Sequence, residues 1–345
     1  MVTWLGRAAD PGRVHTEGRM VRAAIEDARA AVAGLLGVRS REVVFTSGAT
    51  ESANAAIWGA AAGRPGAIVS SPVEHSCVRE AAARTGRSVD LPVDAMARIS
   101  LAALAEVVTA PVALVNCQWG NHEVGTRQPV DDVVRTCRDA GVLVHVDAAQ
   151  AVGQVPLDLG ELGADLVSVS AHKFGGPPGV GALIVRRGLR FAPFVVGGDQ
   201  ERARRGGMEN VPAIVGMGVA ASSAPSPERS LTQTQAILDA ALAVPGVVAY
   251  GDVADRLPHI VCLGVEGVEA EAVLLGLDQA GVAAHSGSSC SSESLEPSPV
   301  LEAMGVDAQR SLRLSVGWST TDADVASFAA VFGGVVARLR ALGGG

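Results

Sequence analysis

Two polar residues at the ends of apolar runs carry chemistry in this sequence: Asp147 closes VLVHVD (142–147), and Lys173 follows LVSVS (166–170) within SVSAHKFGGPPGVGALIV. A lysine in apolar surroundings loses proton affinity, because burial disfavours the ammonium, and its free amine is a nucleophile toward aldehydes. An acid facing that amine suits pyridoxal phosphate, which needs a lysine for its aldehyde and an aspartate that keeps the pyridine nitrogen protonated. The phosphate needs an anion site, and FTSGATES (45–52) places a small glycine turn between a strand and the helical run AAIWGAA. There the backbone N–H groups of Gly48 and Ala49 and the Thr50 hydroxyl can meet an anion at a helix N-terminus. Taken singly, each feature has a bland reading: a surface His-Lys pair, an aspartate capping a turn, Thr50 as an ordinary N-cap. Their order along one chain is what points to a single site.

The elements that must position these residues are short β-rich runs alternating with helices from about Arg41 to Arg187: VVFT (43–46), AIVS (67–70), VALVN (112–116), VLVHVD, LVSVS and VGALIV (180–185). Near-continuous apolar strands separated by helices predict an α/β fold with a mostly parallel sheet covered on both faces. Ligands of such sheets lie beyond the carboxyl ends of the strands. The residues that follow the runs are Ser47 to Glu51, Glu74-His75, Asn121-His122-Glu123, Asp147 to Gln150 and Ala171-His172-Lys173, so polar groups converge on one edge. A Ser/Pro-rich stretch (221–230) then breaks the pattern. Beyond it the periodicity predicts helix (231–243), strands (247–250 and 259–265), helix (268–280), strand (311–316) and helix (321–341). The expected organisation is a short N-terminal segment (1–14), a large domain (15–225) and a smaller α+β domain (226–345).

Composition limits the alternatives. With 48% hydrophobic and 19% charged residues and a mean hydropathy of +0.29, the chain has the apolar surface that disordered chains lack. Only 4 Trp, 1 Tyr and 6 Phe stand against 41 Gly, so the core must be built from small aliphatic side chains. The net charge of −8, without a basic run interleaved with aromatics, argues against a nucleic-acid groove and for a small-molecule site. The N-terminus lacks a cationic start followed by an apolar stretch, and the apolar segment 211–227 is broken by Pro, Gly and Ser. The expectation is therefore a cytoplasmic protein with no membrane contact. Five cysteines, at 77, 117, 137, 262 and 290, are odd in number and form no CxxC pair, so reduced thiols and no metal site are expected.

From about Gly12 to Asp324 the sequence resembles the cysteine desulfurases, fold-type-I pyridoxal-phosphate enzymes of the class V aminotransferase group. The resemblance rests on ordered blocks: VHTEGR, EVVFTSGATES, EHSCV, NHEVGTRQPV, VHVDAAQAVGQVPLDL, ADLVSVSAHKFGGPPGVGALIV, GGDQERARRGGMENVPAIVGMG, SGSSCSSESLEPSPVLEAMGV and LRLSVG. It implies a large domain with a seven-stranded-type sheet, a smaller C-terminal domain and a homodimer. It implies that Lys173 carries the cofactor, Asp147 meets its pyridinium and Gln150 donates to its phenolate oxygen. His75 is implied to stack on the ring and handle protons, and Thr50, Ser170 and His172 to hold the phosphate. Arg313 is implied to grip the substrate carboxylate, with Asn121 also on the substrate side; a guanidinium fork suits a planar carboxylate.

Cys290 sits in Ser286-Gly-Ser-Ser-Cys-Ser-Ser292, among small residues that bury nothing, whereas Cys117 and Cys262 lie in apolar runs. The resemblance implies that Cys290 takes sulfur from L-cysteine as a persulfide, leaves alanine and passes the sulfur to a protein acceptor. The LEPSPVLEAMGV that follows matches the longer-loop, nitrogen-fixation and iron–sulfur-type subgroup. The other four cysteines are read as structural. Three departures stand out: the family's N-terminal strand region is largely missing, His122 replaces an Asn that contacts the phenolate oxygen, and Met208 replaces a Thr that reaches the partner subunit's phosphate. They leave open another enzyme of the same fold, such as a C–S lyase, selenocysteine lyase or aminotransferase, and a non-catalytic scaffold.

Overall fold

The computed structural model describes residues 1–7, 9–223, 227–286 and 297–343. Seven strands form one sheet: β1 (Val43–Thr46), β2 (Ala67–Ser70), β3 (Ser88–Asp90), β4 (Val112–Gln118), β5 (Leu143–Asp147), β6 (Leu166–Ser170) and β7 (Gly181–Val185), in the order β1-β7-β6-β5-β4-β2-β3. β7 runs antiparallel to both of its neighbours and the remaining pairs are parallel, as a mostly parallel α/β sheet requires. Strands β4 to β7 are buried along nearly their whole length, which is why they read as unbroken apolar runs. The edge strand β3 escaped the pattern because all three of its residues are exposed.

Helices cover both faces. On one, Thr16–Leu36 presents Val21, Ile25, Val32 and Leu36 to the core and packs on Val211–Ala221. Gly218 makes that approach possible, since a Cβ there would stand 2.7 Å from the Cβ of Ala28. The other face carries Ala49–Gly63, whose buried alanines sit against the small side chains of the sheet.

A second sheet, β8 (Val247–Tyr250), β9 (Ile260–Val265), β10 (His285–Ser286) and β11 (Ser311–Ser315), is wholly antiparallel in the order β10-β11-β9-β8. It has its own core with Pro227–Leu242 and Asp322–Gly343, centred on Ile237, Leu263, Phe328 and Phe332. The two-residue β10 was not legible as a strand. Among the described residues Asp322–Gly343 is long and apolar enough to cross a membrane, which the sequence analysis did not single out; its Val325, Phe328, Phe332 and Val336 are buried in this second core. Between the two sheets lies a small seam of Val73, Val124, Cys262, Leu301 and Met304.

Candidate active site

The carboxyl ends of β1, β4, β5 and β6 open onto a cavity of 520 Å³ between the sheets, lined by Gly48, Ala49, Thr50, His75, His122, Asp147, Gln150, Ser170, His172, Lys173 and Arg313. The residues that sequence reasoning drew from distant strand ends thus share one site.

Asp147 ends β5, is 9% exposed, and accepts at Oδ1 from the backbone N–H of Ala149 at 3.0 Å. The N–H of Trp119, itself 8% exposed, donates to the Asp147 carbonyl at 2.8 Å. Behind it, His145 Nδ1 lies 2.9 Å from Asn116 Oδ1 and its Nε2 lies 2.7 Å from Ser168 Oγ, tying β4, β5 and β6 together. Burial pushes His145 down to about 4, so this tie is neutral. Lys173 projects from the short turn Ala171–Phe174, which ends at Gly175 with φ +90°. Here the structure corrects the sequence: the lysine is exposed in the cavity rather than buried among apolar side chains. Its apolar flanks, Ala171 and Phe174, face the core, and the turn throws the amine the other way.

At β1, Gly48 starts the helix Ala49–Gly63 with no capping side chain, so the first N–H groups have no partner from the helix itself. Ser170 Oγ and His172 Nδ1 pair at 2.9 Å on the same cavity. Gly181 lets β7 close against this turn, because a Cβ there would stand 2.7 Å from Gly48 Cα. An uncapped helix start, two hydroxyls, a buried carboxylate and an amine form a donor set that fits pyridoxal phosphate.

His75 caps Ser76–Arg84: its Nδ1 accepts from the Cys77 N–H at 3.2 Å, which assigns the neutral ring's proton to Nε2. Its ring meets that of His122 edge-on at 5.1 Å. Cys77, predicted to be structural, instead lines the cavity with Sγ 3.1 Å from His75 Nδ1. Burial keeps Cys117 well above the ordinary thiol range and Cys137 and Cys262 up at about 12, as inert thiols should be. Arg313, on β11, reaches across the seam and donates from Nη1 to the His122 carbonyl at 3.1 Å.

Asn121 does not take the substrate-side place predicted for it. It is fully buried, accepts at Oδ1 from the N–H groups of Glu123 and Val124, and donates to the Val73 carbonyl. It shapes the turn that presents His122. Met208 is 61% exposed. Cys290 lies outside the described residues.

Glu74, placed by the sequence at the converging edge but given no role there, is 1% exposed; Oε1 accepts from Gln118 N–H at 2.7 Å and Oε2 has no partner among the described residues. Burial, followed by the charge of Asp147, raises its carboxyl to about 8. Below the unfolded value of 4.5 both states hold the proton. As pH rises from there to about 8 the unfolded chain ionises first, so stability is lost over that window, by about 1.4 kcal/mol for each unit of the gap. The variant Glu74→Gln is expected to flatten the fall in melting temperature between pH 5 and 8. His145 and His259, pushed down to about 4 and about 3, tilt stability the opposite way in both proteins and cancel in the difference. Parallel melting curves for the two proteins would refute this role for Glu74.

The sequence matches the class-V aminotransferase family over residues 5–328. It is 38% identical over 347 residues to "Cysteine desulfurase 2" of Trichormus variabilis, covering 96% of this chain and 87% of that protein. Among solved structures it resembles a NifS-like protein with a TM-score of 0.89 at 30% identity, covering 98% of this chain and 94% of the other. It also resembles SspA in complex with cysteine, with a TM-score of 0.82 at 31% identity, covering 91% of this chain and 92% of the other.

Proposed function

We propose, from the premise that the chain belongs to the class-V aminotransferase family, that it is a pyridoxal-phosphate-dependent cysteine desulfurase, converting L-cysteine to L-alanine and delivering the sulfur to a protein acceptor. The observation that carries this reading is the convergence of Lys173, Asp147, His75 and Arg313 on one cavity. The cysteine desulfurase similar over nearly its whole length and the cysteine-bound neighbour support it.

When bound, pyridoxal phosphate supplies an electron sink for the bonds broken at the substrate's carbons. Asp147 would hold the proton on the pyridine nitrogen, the helix start at Gly48, Ala49 and Thr50 with Ser170 and His172 would take the phosphate, and Gln150 and His122 would face the phenolate oxygen. Lys173 would anchor the cofactor and accept the substrate's α-proton. Arg313, steadied by the His122 carbonyl, would fork onto the substrate carboxylate. His75, protonated at Nε2 when neutral, would pass a proton to or from the sulfur-bearing side chain. The thiolate of Cys290 would attack the substrate sulfur: an S–S bond forms, the C–S bond breaks with its electron pair left on carbon, and protonation there gives alanine. A division into domains 15–225 and 226–345 would assign one main core to each, a reading that the two large apolar clusters support, and a homodimer would complete the site.

The test is alanine formation from L-cysteine with added pyridoxal phosphate and a thiol reductant. Wild type is expected to form alanine and Cys290→Ala about a hundredfold less. Alanine at an unchanged rate from the variant would overturn the role of the loop thiol, and none from a cofactor-loaded wild type would overturn the choice of substrate.

A further inference from the structure

Just before a strand of the second sheet, one side chain reaches a residue of the cavity wall from an adjoining cavity that it lines with Gln150, Lys173 and Arg313. His259 immediately precedes β9, is 7% exposed, and places Nε2 3.2 Å from Gln150 Oε1. Its backbone is fixed on both sides: the Val316 N–H donates to the His259 carbonyl at 3.0 Å, and Thr234 Oγ1 donates to the Pro258 carbonyl at 2.8 Å. The imidazole therefore comes from a rigid frame and touches a residue of the other sheet across the seam.

Two hydrogen-bond arrangements satisfy that distance. Either the ring Nε2–H donates to the amide oxygen, or the amide is turned and its NH2 donates to the ring nitrogen. The second leaves an Nδ1–H buried with nothing to accept it, since Nδ1 has no partner among the described residues. The first leaves only an unused lone pair there, and an orphaned buried donor is the costlier and rarer defect. Burial, with the charges of Lys173, Arg313 and Arg256, drives His259 down to about 3, so the ring is neutral and offers a single proton to place. That proton belongs on Nε2, where it fixes the oxygen of Gln150 and leaves the amide NH2 to donate into the cavity that Gln150 lines.

We propose that His259 is a positioning residue that locks the Gln150 amide with its NH2, rather than its carbonyl, toward the phenolate oxygen of the cofactor. The inference rests on the reading of the cavity as a pyridoxal-phosphate site. A donor at that oxygen favours the oxyanion, so freeing the amide to rotate weakens the preference for the charged form.

The readout is the visible absorbance of the pyridoxal-phosphate-loaded protein titrated with pH, whose midpoint reports the proton shared between the phenolate oxygen and the lysine-linked nitrogen. His259→Leu is expected to raise that midpoint by about one unit, the size of one lost hydrogen bond to a charged group. His259→Gln, which can still place an N–H at the Nε2 position, is expected to restore it. In a Gln150→Ala background the leucine change should add no further shift, since its effect runs through the amide. Should His259→Leu fail to fold, His259→Asn, whose amide stops short of Gln150, is expected to show the same rise. An unmoved midpoint in loaded His259→Leu or His259→Asn protein, or a full shift that persists without Gln150, would overturn the proposal alone. Failure of the wild type to take up pyridoxal phosphate would overturn the reading of the cavity along with it.

Discussion

Replacing Lys173 by alanine is expected to abolish the visible absorbance of the purified protein and to lower alanine formation from L-cysteine by at least about a thousandfold. The residue stands alone in this respect. Within the cavity the other basic side chains are His75, His122, His172 and Arg313: imidazoles form no lasting bond to an aldehyde, and the Arg313 guanidinium stays protonated and is no nucleophile. The fold should survive, because Lys173 is exposed and its turn is held by backbone bonds, with Gly176 N–H donating to the Ala171 carbonyl at 2.9 Å. The check is a spectrum, a melting curve and an alanine assay on the same preparation. A yellow, active Lys173→Ala protein would refute the assignment.

Asp147→Asn is the second large effect, expected to lower turnover by about a thousandfold while leaving the melting temperature within a few degrees. Asparagine keeps the shape and an oxygen that can still accept from the Ala149 N–H. What it loses is the charge that holds a proton on the pyridine nitrogen and so makes the ring an electron sink. The carboxylate sits in a demanding place, 9% exposed with Glu74 close behind. Burial and the Asp147 charge raise the Glu74 carboxyl to about 8, which disfavours a second negative charge beside the one that faces the cavity. Affinity for pyridoxal phosphate and the rate of alanine release, measured together, separate lost binding from lost chemistry. Unchanged turnover with the cofactor bound would remove Asp147 from the mechanism.

The large sheet was legible because burial on both faces makes β4 to β7 apolar along their length, and because a polar residue at a strand end of such a sheet has one place to go. Lys173, Asp147, His75 and Arg313 were found that way or through the ordered blocks around them. The misses share a cause. Glu74 and His259 act from behind residues that face the cavity, and their meaning depends on packing between neighbouring strand ends for Glu74 and across the two sheets for His259, which no local spacing reports. Asn121 misled because its neighbour His122 lines the cavity while its own amide is consumed by the turn's backbone N–H groups and the Val73 carbonyl. Cys77 misled in the opposite sense: two residues beyond His75 on a helix start, its thiol comes back to the imidazole that caps it.

Trp119 gives the site an optical consequence. Of the four tryptophans, Trp58 and Trp318 are 53% and 70% exposed and Trp4 is half-buried, whereas Trp119 is 8% exposed and hydrogen-bonded through its backbone to Asp147. Its indole therefore emits from a dry setting beside the cavity and contributes the blue edge of the intrinsic fluorescence. A visible chromophore seated in the cavity takes up that emission by energy transfer, and it reaches the exposed ring of Trp318 too, which lies against Gly175 beside Lys173, so the blue edge and part of the red emission dim together as sites fill. The protein thus carries its own occupancy meter, readable in a cuvette without substrate, label or turnover.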